Sequence, residues 1–252
     1  MKILGVIPAR YASTRLPAKP LLDIGGKPLL QWVIEGVRES KKLSNLIVAT
    51  DHHLIANLAE SLGVQAVMTD PELPSGSDRV WAAAKDQDAD VVLNIQGDEP
   101  LIEPRWIDDL ASVFEKNPEA VMATLGHALP TNELNELGSV KLIRNQFSEA
   151  IYFSRFAIPY SREGVEKWPG TALKHIGLYG YKKSFLNKFC SQKPTALEKA
   201  ESLEQLRALW MGAKINVVEI NAMSVGVDTP DDVKKVEEIL KQRTKTTTMS
   251  KK

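Results

Sequence analysis

Ile3-Leu4-Gly5-Val6-Ile7-Pro8-Ala9-Arg10 opens the chain, and Tyr11-Ala12-Ser13-Thr14-Arg15-Leu16-Pro17-Ala18-Lys19-Pro20-Leu21 follows it. The apolar run at 3–7, halted by Pro8, predicts a buried first strand. A loop rich in Arg, Ser and Pro leaves its carboxyl end. Beyond it, Leu29, Trp32, Val33, Gly36 and Val37 recur at helical spacing after Pro28, a good first-turn residue. The stretch 46–50 reads as a second strand. Leu54, Ile55, Leu58, Ala59 and Leu62 mark a helix stopped by Gly63. The stretch 91–95 is a third strand, and Trp106, Ile107, Leu110, Val113 and Phe114 mark the next helix. Strands alternating with helices predict an α/β fold, a mainly parallel Rossmann-like sheet covered on both faces.

The middle of the chain breaks this rhythm. Between 126 and 182 the candidate strands are 140–144, 150–153 and 175–181, so an inserted mixed or antiparallel lobe is expected over about 126–214. Leu197, Leu203, Leu206 and Trp210 form one helix face, and a strand returns at 215–220. Thr229-Pro230-Asp231-Asp232 is a helix start, with Thr as cap and Asp at the third position. Val233, Val236, Ile239 and Leu240 supply that helix's apolar stripe. The expected organisation is one domain over 1–240 and a tail over 241–252.

Composition narrows the function. With 43% hydrophobic and 25% charged residues, the chain has the make-up of an ordinary globule. The net charge of zero hides an asymmetry: the tail carries five cations and no acid, leaving the other 240 residues at −5. Without apolar periodicity the tail is expected to be disordered, and as a short solvated basic segment it implies no nucleic-acid partner. No apolar run approaches the roughly 18 residues of a membrane span, and the first apolar run is too short for a signal peptide. The expectation is a cytoplasmic enzyme without membrane insertion. The single cysteine, Cys190, excludes an internal disulfide and a cysteine-rich metal site, and reads as a packed thiol.

Three cations, Arg10, Arg15 and Lys19, fall within ten residues of the first loop, with hydroxyls at Ser13 and Thr14. Ligands of open α/β sheets bind at the carboxyl ends of strands. Main-chain N–H groups there hold phosphate oxygens, and Arg and Lys add charge-assisted bonds. On charge count alone a solvated basic loop accounts for the pattern equally well. The prolines that bracket the cations argue for a rigid, binding loop. It is not a Walker A loop, and no G-x-G-x-x-G follows the first strand, which disfavours an oxidoreductase. Asp98, after the third strand, and Asp228, before the last helix, are loop carboxylates of the kind that hold Mg²⁺ with phosphate oxygens and water. The alternative for Asp228 is a helix cap. Asp51 is a comparable strand-end acid with a weaker claim.

Eight segments, PARYASTRLPAKPL, VATDHH, SGSDR, NIQGDEP, YFSR, KHIGLYGY, LEQLRALW and GVDTPDD, together resemble the 3-deoxy-manno-octulosonate (Kdo) cytidylyltransferases, in order and over about residues 1–240. The resemblance implies a nucleotide-diphospho-sugar transferase fold and a homodimer. It implies that CTP and Kdo give CMP-Kdo and pyrophosphate with Mg²⁺, feeding lipopolysaccharide assembly. It implies Arg10, Ser13, Arg15 and Lys19 around CTP, with Arg15 and Lys19 stabilising the leaving group. Ser75, Gly76, Ser77 and Arg79 match the loop near cytosine and ribose; Ser77 stands where Thr is usual and keeps the hydroxyl. Asp98 and Asp228 match the metal carboxylates. Gln96, Arg155, His175, Tyr181, Glu204 and Gln205 match positions around the sugar, Arg155 as partner of its carboxylate. From position alone His175 and Tyr181 read equally as core residues. The rival readings are another acidic sugar, either 8-amino-Kdo or a sialic acid, and a nucleotide-binding regulator without catalysis.

Overall fold

The computed structural model describes residues 1–12, 16–164, 170–221 and 225–249. In its first half, β1 (Ile3–Ala9), α1 (Leu29–Arg38), β4 (Asn45–Thr50), α2 (His53–Ser61), β6 (Val91–Asn94) and α4 (Pro104–Lys116) stand where they were expected, and β5 (Gln65–Met68) and α3 (Gly76–Ala84), which were not expected, complete the alternation. The two-residue strands β2 (Asp23–Ile24) and β3 (Lys27–Pro28) form a small hairpin before α1. The second half contains β7 (Met122–Ala128), β8 (Lys141–Arg144), β9 (Ala150–Ser154), β10 (Leu173–Lys182), α5 (Lys183–Ser191), α6 (Ala196–Glu201), α7 (Leu206–Trp210), β11 (Ile215–Glu219) and α8 (Pro230–Met249).

Among the described residues nine strands join in one sheet, whose main path runs β11-β7-β10-β6-β1-β4-β5. The pairs β1–β4, β1–β6, β4–β5 and β7–β11 are parallel. β10 runs antiparallel between β6 and β7. The class is the expected one, α/β with a mostly parallel sheet. The lobe expected over about 126–214 is less separate than its sequence pattern, because β10, which lies inside it, is a strand of the main sheet. Only β8 and β9 leave its path.

The period-two pattern of β1 explains the layering. Ile3, Ile7 and Ala9 face one core with residues of α1, α2 and α4; Leu4 and Val6 face another with residues of α3 and α5. A central strand buried on both faces reads as an unbroken apolar run. A third cluster, including Ile24, Leu29, Leu101, Val227 and Val236, docks α8 against the β2–β3 hairpin. Its start is the expected capping box: Asp232 Oδ2 accepts from Thr229 N at 2.8 Å, and Thr229 Oγ1 accepts from Asp232 N at 3.3 Å.

Two expectations need correction. Leu197 and Trp210 do not share one helix, because Ser202 adopts φ 52° and separates α6 from α7. Trp210 is consequently exposed, while Leu203 and Leu206 are core. The basic tail does not begin as disorder. α8 runs through Met249, since no Gly or Pro follows Leu240 to stop it.

Candidate active site at the carboxyl edge of the sheet

A cavity of about 350 Å³ lies beyond the ends of β1 and β6. Pro8, Ala9, Arg10, Lys19, Pro20, Ser75, Gly76, Arg79, Gln96, Gly97, Asp98 and Asp228 line it, with Leu73 and Pro74. Thus residues expected for the nucleotide, the metal and the sugar come from five separated segments to one place. Ser13 and Arg15 lie outside the described residues. The approach of the first and fourth segments is close: a Cβ on Gly97 would stand 2.9 Å from the Pro8 carbonyl oxygen. Only glycine allows it.

Lys19 is the centre of the charge arrangement. Ala18, just before it, adopts φ 52° and ψ 33°, a left-handed conformation disfavoured for a residue with a Cβ. That turn sends Lys19 across the edge. Its Nζ donates to Asp98 Oδ2 at 2.7 Å, Asp228 Oδ1 at 3.0 Å and the Val227 carbonyl at 2.8 Å. Burial pulls the ammonium pKa down, but Asp98 and Asp228 outweigh it and the pKa is raised. The carboxylates meet because Val227 N donates to the Asp98 carbonyl at 2.9 Å, which pins the segment before α8 onto the loop after β6. Asp228 is not the cap of α8; Thr229 and Asp232 do that work.

Two hard oxygen donors converging on one cationic atom suit Mg²⁺, which takes one or two carboxylates and completes its shell with phosphate oxygens and water. Asp51 belongs elsewhere. Its Oδ2 lies 3.2 Å from Arg79 Nη2, and its Oδ1 accepts from Tyr11 N at 2.9 Å.

The Ser75–Arg79 segment is a helix start rather than a loop. Ser75 caps α3 by accepting from Asp78 N at 3.1 Å. The Ser-x-x-Asp pattern was legible as a cap. Ser75 and Gly76 line the cavity, whereas Ser77 is buried beneath it. Glu204 holds both hydroxyls, Ser75 at 2.7 Å and Ser77 at 2.9 Å. Burial raises the Glu204 pKa, against the pull of these hydrogen bonds and Arg207. The hydroxyl kept at 77 is therefore used inside the protein.

Of the other residues expected around the sugar, Arg155, His175, Tyr181 and Gln205 do not line this cavity. Gln96 does, and its amide lies over the β10 irregularity, 3.0 Å from where a Cβ on Gly177 would stand. Arg155 instead donates to the carbonyls of Glu201, Leu137 and Ser202 at 3.1, 3.1 and 3.3 Å. His175 is half-buried between Phe153 and Tyr179, with Nε2 2.9 Å from Thr124 Oγ1. Burial pushes its pKa down to about 3, so the ring is neutral. Tyr181 is fully buried between Tyr179 and Phe189, and burial drives its phenol pKa upward. Gln205 is buried as well. Cys190 packs against the Ser77 carbonyl, and burial pushes its thiol pKa far up. Sequence reasoning missed Leu73 and Pro74 in the cavity wall and the Val227 carbonyl on Lys19. A carbonyl contact carries no residue-type signal.

Comparison with known proteins agrees with this geometry. A family model described as cytidylyltransferase matches residues 4–215. A 3-deoxy-manno-octulosonate cytidylyltransferase of Bdellovibrio bacteriovorus is 54% identical over 242 residues, spanning 95% of this chain and 98% of that protein. An 8-amino-3,8-dideoxy-manno-octulosonate cytidylyltransferase of Shewanella baltica is 42% identical, spanning 95% and 99%. A solved CMP:2-keto-3-deoxy-manno-octonic acid synthetase complexed with CTP has a TM-score of 0.91 at 40% identity, covering 96% of this chain and all of that one. No helix among the described residues is long and apolar enough to cross a membrane. With its strand-edge cavity, its lysine-bridged carboxylates and relatives along almost its whole length, the chain belongs to the 3-deoxy-manno-octulosonate cytidylyltransferase family.

Proposed function

We propose that this enzyme transfers CMP from CTP to Kdo and releases pyrophosphate, supplying activated Kdo for lipopolysaccharide assembly. The observation that carries the reading is the convergence of Arg10, Lys19, Arg79, Asp98 and Asp228 on one cavity. A triphosphate needs several cations at once, and a carboxylate pair beside them suits its metal.

The sugar's anomeric hydroxyl attacks the α-phosphorus of CTP and gives up its proton to solvent, the bond to the bridging oxygen breaks, and pyrophosphate leaves. Lys19 and Arg10 neutralise the phosphate oxygens, and Lys19 stabilises charge growing on the leaving group. Arg15 has the same role in this proposal. Asp98 and Asp228 would hold Mg²⁺, which neutralises phosphate charge when bound. Arg79 and the cap of α3, with Ser75 and Gly76, orient the nucleoside. The acceptor enters beside Gln96, above Gly177. His175, held neutral in its pocket, is not poised to shuttle a proton at neutral pH. Catalysis rests on positioning and electrostatics.

The functional unit is a homodimer in the cytoplasm, where CTP is available. Its support is the edge strand β9 and the exposed apolar side chains of Leu137, Phe147, Ile151, Phe156 and Tyr160 around it. Exposed apolar groups clustered on one side mark contact surfaces. The Shewanella baltica relative keeps the 8-amino sugar as a second acceptor to be tested. Pyrophosphate release measured with CTP, UTP and ATP against Kdo and 8-amino-Kdo decides the matter. Release with CTP and Kdo alone is the expected result; faster release with 8-amino-Kdo would reassign the sugar.

A further inference from the structure

We propose that Asp51 is a positioning residue, a clasp that aims Arg79 into the nucleotide cavity and fixes the root of the basic loop. This rests on the nucleotide reading of that cavity. Four segments are tied together around this carboxylate, and two of them bond it directly. β4 delivers Asp51 itself, and its Oδ2 faces Arg79 Nη2 of α3 at 3.2 Å. Arg79 Nη1 also donates to Thr69 Oγ1, just after β5. Thr69 is in turn tied to the Thr50 carbonyl through its N–H at 2.8 Å and its hydroxyl at 3.1 Å.

On the other side, Asp51 Oδ1 accepts from Tyr11 N at 2.9 Å. The Tyr11 carbonyl accepts from Ala18 N at 3.2 Å, closing the loop that ends at Lys19. Next to the clasp, His52 stacks on the Tyr11 ring at 3.8 Å between centroids. A path of hydrogen bonds thus runs from Asp51 through Tyr11 and Ala18 to the neighbour of the lysine that holds Asp98 and Asp228.

Burial argues for positioning rather than stability. The Arg79 and Asp51 side chains are only 4% and 7% exposed. Desolvation offsets most of the attraction in a buried pair, so the pair as a whole adds little net stability, although removing one partner alone leaves a buried charge and is costly. What this pair does supply is direction. Two of the five guanidinium donors are directed to Asp51 and Thr69, and Arg79 lines the cavity.

The test is CTP titration into wild type, Asp51→Asn, Arg79→Gln and the double variant, with steady-state kinetics and thermal unfolding on each. Asn keeps an oxygen for the Tyr11 N–H but removes the charge from Arg79. The expected result is CTP affinity weaker by about tenfold, in the range that loss of an orienting partner costs at other sites. KM for CTP rises with it, KM for the sugar stays put, and the double variant binds no more weakly than Arg79→Gln alone. CTP affinity within about twofold of wild type, an equal rise in both KM values, or losses that add in the double variant would each overturn the clasp. Asp51→Glu, which keeps the charge but displaces it, gives a second arm: weakened CTP binding supports the clasp, and unchanged binding refutes it. Wild-type protein that does not bind CTP overturns the nucleotide reading as well; wild type that binds, with variants that bind equally, overturns the clasp alone.

Discussion

The edge of the sheet at β1 and β6 and the region beneath α3 and α7 use similar side chains to opposite ends. At the edge, Arg10, Lys19, Asp98 and Asp228 open onto a cavity. Beneath α3, polar groups close on one another: Glu204 on Ser75 and Ser77, and Glu198 on Arg207 at 2.9 and 2.5 Å. Buried polar groups satisfied inside the protein hold a shape, and groups that face a cavity act on what enters it. Residue type therefore does not assign a role; the direction in which hydrogen-bonding capacity is directed does.

This contrast can be broken by experiment. The largest effect is expected at the edge. Asp98→Asn lowers kcat by about a hundredfold or more, with a thermal midpoint near wild type; wild-type kcat at saturating Mg²⁺ would remove Asp98 from the metal site. Glu198→Gln is the opposite case. It breaks a buried bidentate pair and costs about 3 kcal/mol of stability, read by urea unfolding, while kcat of the folded fraction stays unchanged. Burial works to raise the Glu198 pKa, but Arg207 and the Thr195 N–H outweigh it and the folded pKa is lowered from 4.5. Its contribution is thus present above pH 4.5 and lost as pH falls through the folded value. The difference between wild type and Glu198→Gln should narrow over that window.

His175 gives a pH signature of its own. A histidine depressed from 6.5 to about 3 costs the fold stability as pH falls through that range. The slope is at most about 1.4 kcal/mol per pH unit. His175→Gln should flatten the acid limb of stability, and the wild-type ring should show no NMR titration between pH 5 and pH 8. The smallest effect is expected for Tyr181→Phe. It keeps the packed ring and loses the hydroxyl, at about 1 kcal/mol, with KM for the sugar unchanged. A large rise in that KM would move Tyr181 from the core to the sugar site.

Much of the fold was legible because periodicity is local. The strands at 3–7, 46–50 and 91–95 and the helices after Pro28 and Thr229 follow from apolar spacing and caps. β7 was not legible, because Gly126 and His127 interrupt its apolar run while main-chain pairing with β10 carries it through Ala128. The break at Ser202 escaped for a related reason: a left-handed Ser has no residue-type signature as glycine has. Of the cavity lining, Arg10, Lys19, Asp98 and Asp228 were readable from the density of cations after the first strand and the carboxylates at the ends of elements near it. The expected sugar residues Arg155, Tyr181 and Glu204 were not placeable, because whether a polar side chain meets a ligand or a carbonyl depends on neighbours distant in sequence.

The sequence by itself determined the class of fold and the strand edge at which cations and carboxylates gather. These depend on the order of apolar and charged residues within single elements. The tertiary structure decided which carboxylates act together. Asp51, Asp98 and Asp228 all end or follow ordered elements, yet a main-chain bond from Val227 to Asp98 brings two of them onto Lys19, while sheet register sends the third to Arg79. Register is set by the pairing of whole strands, so no local pattern around Asp51 could have announced its partner.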